Sequence, residues 1–134
     1  MSNRDHFIAN FRGATLGEIN SETSSEELFQ NQTLRPILKL QNDLYVEILK
    51  KYIVKNKTPF TQFSVDKKLV FIENTLLNDN KFRNLLIGTT LGLFKIEEYK
   101  EYSKNTSELN KRIITMLIER LKSQVQLLDE LVSL

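Results

Sequence analysis

The chain has no cysteine and no tryptophan, a single histidine, two prolines and four glycines in 134 residues. Without cysteine there are no disulfides, no thiolate metal ligands and no thiol nucleophiles. One histidine, His6, lies near the N-terminus, and a zinc centre needs several converging ligands, so a histidine-based metal site is excluded. No apolar run approaches the roughly 20 residues that span a bilayer. Residues Met1 to Phe11 mix Arg4, Asp5 and His6 with apolar side chains. That is not the basic-then-apolar order of a secretory signal, and the expected location is cytoplasmic.

The chain does have helical periodicity. Hydrophobic residues make up 40% and charged residues 27%, the balance of an ordinary globular domain with one core. From Ser107 to Leu134 there is neither glycine nor proline, and Ile114, Leu117, Ile118, Leu121, Val125, Leu128, Leu131 and Val132 form one stripe. That spacing predicts a long amphipathic final helix. A second long helix is expected from Leu34 to about Lys55, with Pro36 tolerated in its first turn. A third runs from Val65 to about Asn78, opened by Ser64. Shorter helices are expected from Ser24 to about Asn31, with Ser24 and Glu27 as a capping box, from Lys81 to Leu93, and from Ile96 to Tyr102. Asn105 and Glu108 offer a further capping box for the last helix. No strand-like alternation persists. The expected fold is all-α: a single helical bundle of three long and two or three short helices over residues 24–134. Residues 1–23 are expected to be a partly mobile leader, because Gly13, Gly17 and the polar run from Asn20 to Ser25 interrupt any period; Phe7, Ile8 and Phe11 could anchor it on the body.

Charge is close to balanced, at +2. Up to Thr33 there are two basic and five acidic residues, and from Leu34 onward 17 basic and 12 acidic. A mildly basic body falls short of the basic stripe of a dedicated nucleic-acid binder. The features that favour such binding are Lys50, Lys51, Lys55, Lys57, Lys67 and Lys68, and a helix–turn–helix shape over Val65–Leu93 with Lys81, Arg83 and Asn84 opening its second helix. Lysines near a helix C-terminus are, however, favoured by the helix dipole alone.

Constellations for catalysis are sparse. The body holds no Ser/His/Asp set and no GxSxG elbow. An oxygen-only site for magnesium or calcium needs clustered carboxylates, and the nearest cluster is Glu97, Glu98 and Glu101. Glu97 and Glu101 share a helix face, but Lys100 and Lys104 stand beside them, which reads as a solvated face. Asp43 and Glu47 lie four apart with lysine neighbours, and a Glu47–Lys51 ion pair is the ordinary reading. Gly88-Thr89-Thr90-Leu91-Gly92 lacks the lysine and spacing of a phosphate loop. Gly88 and Gly92 would share a helix face and leave a groove, read here as a close helix crossing. Gln41 and Gln124 each interrupt an apolar seam and are candidate buried polar residues, which would need partners or set register.

The stretches Leu34-Arg35-Pro36-Ile37-Leu38, Lys81-Phe82-Arg83-Asn84 and Leu109-Asn110-Lys111-Arg112 give the body from Thr33 to Gln124 a further character. In them it resembles small uncharacterised bacterial all-helical proteins, some of which carry a glyoxalase label. The resemblance implies an all-helical fold, and its label implies small-molecule chemistry. The residues themselves lack both glyoxalase patterns: the β-rich fold with His and Glu metal ligands, and the HxHxDH cluster.

The resulting expectation is a small helical interaction or structural module, not an enzyme, with no cofactor and no metal. It self-associates as a homodimer, or binds another helical protein, through Leu127, Leu128, Leu131, Val132 and Leu134. A nucleic-acid-binding regulator is the alternative, and a small-molecule enzyme the more distant one.

Overall fold

The computed structural model describes residues 2–12 and 24–132, and every regular element among them is helical. The fold is all-α, as the periodicity predicts. In order, the α-helices are α1 (Asn3–Phe11), α2 (Ser25–Phe29), α3 (Arg35–Leu40), α4 (Asn42–Lys55), α5 (Val65–Asn78), α6 (Asn80–Leu91), α7 (Ile96–Ser103), α8 (Thr106–Lys122) and α9 (Val125–Val132). No helix among the described residues is long and apolar enough to cross a membrane.

The core is built where the apolar stripes meet. α8 packs on α5 and α6, α7 leans on α8, and α9 lies against α4. Leu34, Ile37, Tyr45, Leu49, Ile53, Ile72, Leu76, Leu86, Ile113 and Leu117 are shielded from solvent. Burial of a side chain of this size contributes roughly 1.5–3 kcal/mol. Phe60, Phe63 and Phe71 form an aromatic cluster, with ring centroids 5.7–6.2 Å apart, that seals the turn between α4 and α5.

Several ends are set by local chemistry. The Ser24 hydroxyl accepts from the Glu27 amide at 3.1 Å, and the Ser64 hydroxyl from the Lys67 amide at 3.2 Å, as the sequence predicts. Asn105 does not cap α8 with its side chain. After α4 the chain closes with Lys57 at φ 55°, its amide bonding Val54 O at 3.0 Å while the Thr58 amide bonds Ile53 O at 3.1 Å. That is a Schellman ending with lysine where glycine is usual.

Three expectations change. First, the single final helix is two. At Ser123–Gln124 the Gln124 amide turns to Leu121 O (3.1 Å). The abandoned Arg120 carbonyl is taken instead by Ser123 Oγ (2.7 Å) and Gln124 Nε2 (2.9 Å). These side chains replace the lost helical bond, and α9 folds back to bring Leu128 into the core. Second, the long second helix is divided at Gln41, whose φ −91°, ψ 5° departs from helical values. Third, the chain does not end one helix near Asn31 and start another at Thr33. It continues from α2 to α3 through a π-helical segment, Gln30–Leu34, so Pro36 sits well inside a continuous rod.

The stretch read as a leader contains α1, whose packed residues are Asp5, Ile8 and Arg12. Ile8 is buried as the apolar-anchor reading requires, but Phe7 and Phe11 are exposed. Polar groups, not a cluster of three apolar ones, seat this helix.

Candidate functional site

Beyond the end of α6, the carbonyls of Gly92, Leu93 and Phe94 lack helical donors, at the negative end of the helix dipole. α1 brings two arginines to them. Arg4 donates to Phe94 O at 2.7 Å and to Gly92 O at 3.0 Å, and Arg12 donates to Leu93 O at 3.2 Å. One turn of chain later, the first amide of α7 needs an acceptor. The Asp5 carboxylate takes the Ile96 amide at 3.1 and 3.2 Å. The packed face of α1 is thus electrostatically matched to the α6–α7 junction, cations on the carbonyls and a carboxylate on the amide.

Beneath α1, Arg12 forms a two-pronged ion pair with Glu98. Its Nη2 lies 2.9 Å from Glu98 Oε2, and its Nη1 bonds Glu98 Oε1. Glu98 also accepts from the Thr33 hydroxyl at 2.6 Å and from the Lys95 amide at 2.7 Å. The side chains of Arg12 and Glu98 are 5% and 13% exposed, so this pair is largely desolvated. Burial pushes the Glu98 carboxyl up. The hydrogen bonds from Arg12, Thr33 and the Lys95 amide, with the Arg12 charge, outweigh burial and hold it below the usual glutamate range. A carboxylate with every lone pair engaged and a lowered pKa is a poor proton acceptor. The cluster is a clasp rather than an acid–base centre.

A second polar feature lies at the α8–α9 break. Asn42 and Gln124 pair amide to amide: Asn42 Nδ2 donates to Gln124 Oε1 at 2.7 Å, and Gln124 Nε2 to Asn42 Oδ1 at 2.8 Å. Arg120 reaches Asn42 Oδ1 at 3.4 Å. Beside this pair a cavity of about 400 Å3 opens between Gln30, Arg35 and Leu38 on one side and Met116, Glu119 and Arg120 on the other.

Deeper in, the Tyr45 hydroxyl meets Thr90 Oγ1 at 2.8 Å, and burial, only partly offset by that bond and by the Arg120 charge, pushes Tyr45 up to about 12. Tyr52 donates to Asp79 Oδ2 at 2.7 Å. Burial, that bond and the Asp79 charge raise Tyr52 to about 12. Asp79 is held low first by the Tyr52 bond and next by the Phe82 amide, which it caps at the start of α6.

The residues singled out in the sequence fall in different places. Gln124 is half-buried and fully partnered by Asn42 and the Arg120 carbonyl, while Gln41 is half-buried at the α3–α4 division. Gly88 is exposed, and a Cβ built on it would meet nothing within 4 Å. At Gly92 the nearest atoms are carbonyl oxygens of its own helix, Gly88 O and Thr89 O, at 3.6 Å. Among the described residues no helix crosses closely over this pair, because α6 packs on α5 and α8 through Phe82, Leu86, Ile87 and Thr90. Leu128 is buried in the chain's own core, and Leu127 is exposed. The side chains of Leu131 and Val132, and Leu134 altogether, lie outside the described residues.

The lysine cluster is dispersed. Lys50 is buried and pairs with Glu47 at 3.1 Å, in place of the expected Glu47–Lys51 pair. Lys68 is buried against Asp129 at 2.7 Å, and Lys67 sits 4.3 Å above the Phe63 ring. A single residue, Asp79, joins α5 to α6, whereas helix–turn–helix motifs use a turn of about three to four residues. Glu97 and Glu101 form exposed ion pairs with Lys100 and Lys104, at 3.3 and 3.7 Å. Among the described residues no three His, Cys, Asp or Glu side chains are grouped to hold a metal ion.

Sequence reasoning did not single out Arg12 or Asp5, and it read Glu98 only as part of the Glu97, Glu98 and Glu101 carboxylate cluster on a solvated face. One signal was present: a proline inside a helix leaves a carbonyl four residues earlier in need of a donor. Compared with known proteins, the chain matches no protein-family model, no curated protein and no solved structure.

Proposed function

We propose that this chain is a non-enzymatic helical interaction module that pairs with a second copy of itself through the outer flank of α1. One observation carries the reading. α1 spends its polar residues on the body and turns its aromatic ones outward. Phe7 and Phe11 stack at 5.5 Å between ring centroids yet stand 66% and 52% exposed. An amphipathic helix normally does the reverse. An aromatic pair one turn apart on a short helix is self-complementary across a twofold axis, the commonest symmetry of homodimers. Exposed apolar surface of this kind marks contacts, and aromatic residues are enriched at them.

The C-terminal helix contributes Leu127, exposed on α9, as a second apolar element. Leu128 is committed to the core and serves the fold. The reading carries a cytoplasmic location with it, which fractionation of native cells checks.

Light scattering coupled to gel filtration tests the proposal. The wild-type chain is expected to shift from monomer to dimer as concentration rises into the high micromolar range. Phe7→Ser with Phe11→Ser keeps the helical circular-dichroism signal and stays monomeric. A wild type that remains monomeric throughout ends the reading. A dimer dissolved by Leu127→Asp and not by the phenylalanine changes moves the contact to α9.

A further inference from the structure

The cavity at the α8–α9 break goes beyond self-association, because its walls are chemically specific. It opens where two helical irregularities meet, the π-helical segment that begins at Gln30 and the break at Ser123–Gln124. π-Helical turns recur at functional sites. Its volume, about 400 Å3, lies within the range of small-molecule clefts. Leu38 and Met116 supply apolar surface, and the polar groups around them are unevenly charged. Arg35 on α3 and Arg120 on α8 line the same cavity, opposed by the single carboxylate of Glu119.

The two guanidiniums are available. Arg35 is exposed and has no side-chain hydrogen bond or ion pair among the described residues. Arg120 has one long bond, 3.4 Å to Asn42 Oδ1, which orients it and leaves its other donors open. Asn42 is itself locked by Gln124, so the support for Arg120 is rigid. The end of α8 would ordinarily repel an anion through its bare carbonyls. Here Arg120 O is occupied by Ser123 Oγ and Gln124 Nε2, and Glu119 O by the Ser123 amide at 3.1 Å.

We propose that this cleft binds a small organic anion, a carboxylate or a phosphate ester, clamped between Arg35 and Arg120. Guanidinium groups match both headgroups by forked hydrogen bonds. Glu119 selects among anions: it favours a ligand whose body carries a hydroxyl or amino donor and disfavours high net negative charge.

The test uses the full chain, with amide chemical shifts followed by NMR during titration with malate, glycerol 3-phosphate or, as a cationic control, choline. Expected are saturable shifts around Arg35, Met116 and Gln124 for one or both anions and none for choline. The stronger of the two anions identifies the headgroup. Arg35→Gln, at an exposed and uncontacted side chain, keeps the fold and weakens binding about tenfold or more. Glu119→Gln tightens it. No saturable shift by about 10 mM of either anion overturns the proposal. So does an Arg35→Gln chain that binds as the wild type does, or an equal response to choline. None of these outcomes depends on whether the protein dimerises.

Discussion

Arg12 supplies the hydrogen bond that Pro36 cannot. In an α-helix the Gln32 carbonyl would accept from the amide of residue 36, but proline has no N–H and its ring crowds that carbonyl. Arg12 Nη2 donates to Gln32 O at 2.9 Å, from a helix 20 residues earlier in the chain. The π-helical widening over Gln30–Leu34 accommodates the ring, and the guanidinium satisfies the orphaned oxygen. The same arginine also engages Glu98 and Leu93 O, so one side chain joins α1, the Pro36 rod and the α6–α7 junction.

Arg12→Ala is therefore expected to be among the most damaging single changes. It leaves the buried Glu98 carboxylate without its counter-charge and two carbonyls without a donor. Breaking a buried pair from one side costs about 3–5 kcal/mol. Urea denaturation measures it, and a loss below about 1 kcal/mol would show that water replaces the arginine.

Acid should weaken this clasp with a predictable sign. Glu98 titrates lower in the folded chain than its ordinary value of 4.5. Its contribution is complete above the unfolded pKa and is lost as pH falls through the lowered folded one. Melting temperatures of wild type and Glu98→Gln, followed from neutral pH downward, should converge as pH falls below 4.5 and through the lowered folded value. Parallel curves would mean that Glu98 is not the group responsible.

At the alkaline end the tyrosines act in the opposite sense. Tyr45 and Tyr52 are raised from 10.0 to about 12. The folded state is favoured while both are protonated, and stability falls as pH rises from the unfolded pKa through the folded one. Ultraviolet titration of phenolate absorbance should show Tyr45 and Tyr52 ionising late, together with unfolding, and Tyr102, which burial also pushes up, ionising above its ordinary value. Four tyrosines titrating together near 10 would refute the buried assignments.

Two surface changes should stabilise the chain. Gly88→Ala places a methyl in open space on a helix, for a gain of about 0.5–1 kcal/mol. Lys57→Gly relieves a side chain held at φ 55°, for a gain of similar size, about 0.5–1 kcal/mol. Thermal melting checks both, and a destabilised Gly88→Ala would reinstate a close helix crossing there.

Adjacent leucines in α9 should behave oppositely. Leu128→Ala removes a side chain with no solvent exposure and is expected to cost about 2–5 kcal/mol. Leu127→Ala, at an exposed position, should stay within about 0.5 kcal/mol. Equal losses would mean that α9 is rotated from the position described.

The sequence by itself determined the helical class, most helix positions and the caps at Ser24 and Ser64, because periodicity and capping are local properties carried within a few turns. It also marked Gln124 as a seam residue in need of a partner. Only the tertiary structure decided that Asn42 is that partner, that the final stripe breaks at Ser123, and that Leu128 turns inward while Leu127 does not. A stripe records which residues prefer to be buried, not whether its helix stays straight. The clasp was hidden for the same reason. Arg12, Glu98 and the stretch that holds Thr33 and Pro36 are far apart along the chain, and several of the atoms engaged, Gln32 O, Leu93 O and the Lys95 amide, are backbone groups that every residue carries. What joins them is the packing of α1 on the α6–α7 junction, a long-range match of charge to helix ends that no spacing in the sequence records.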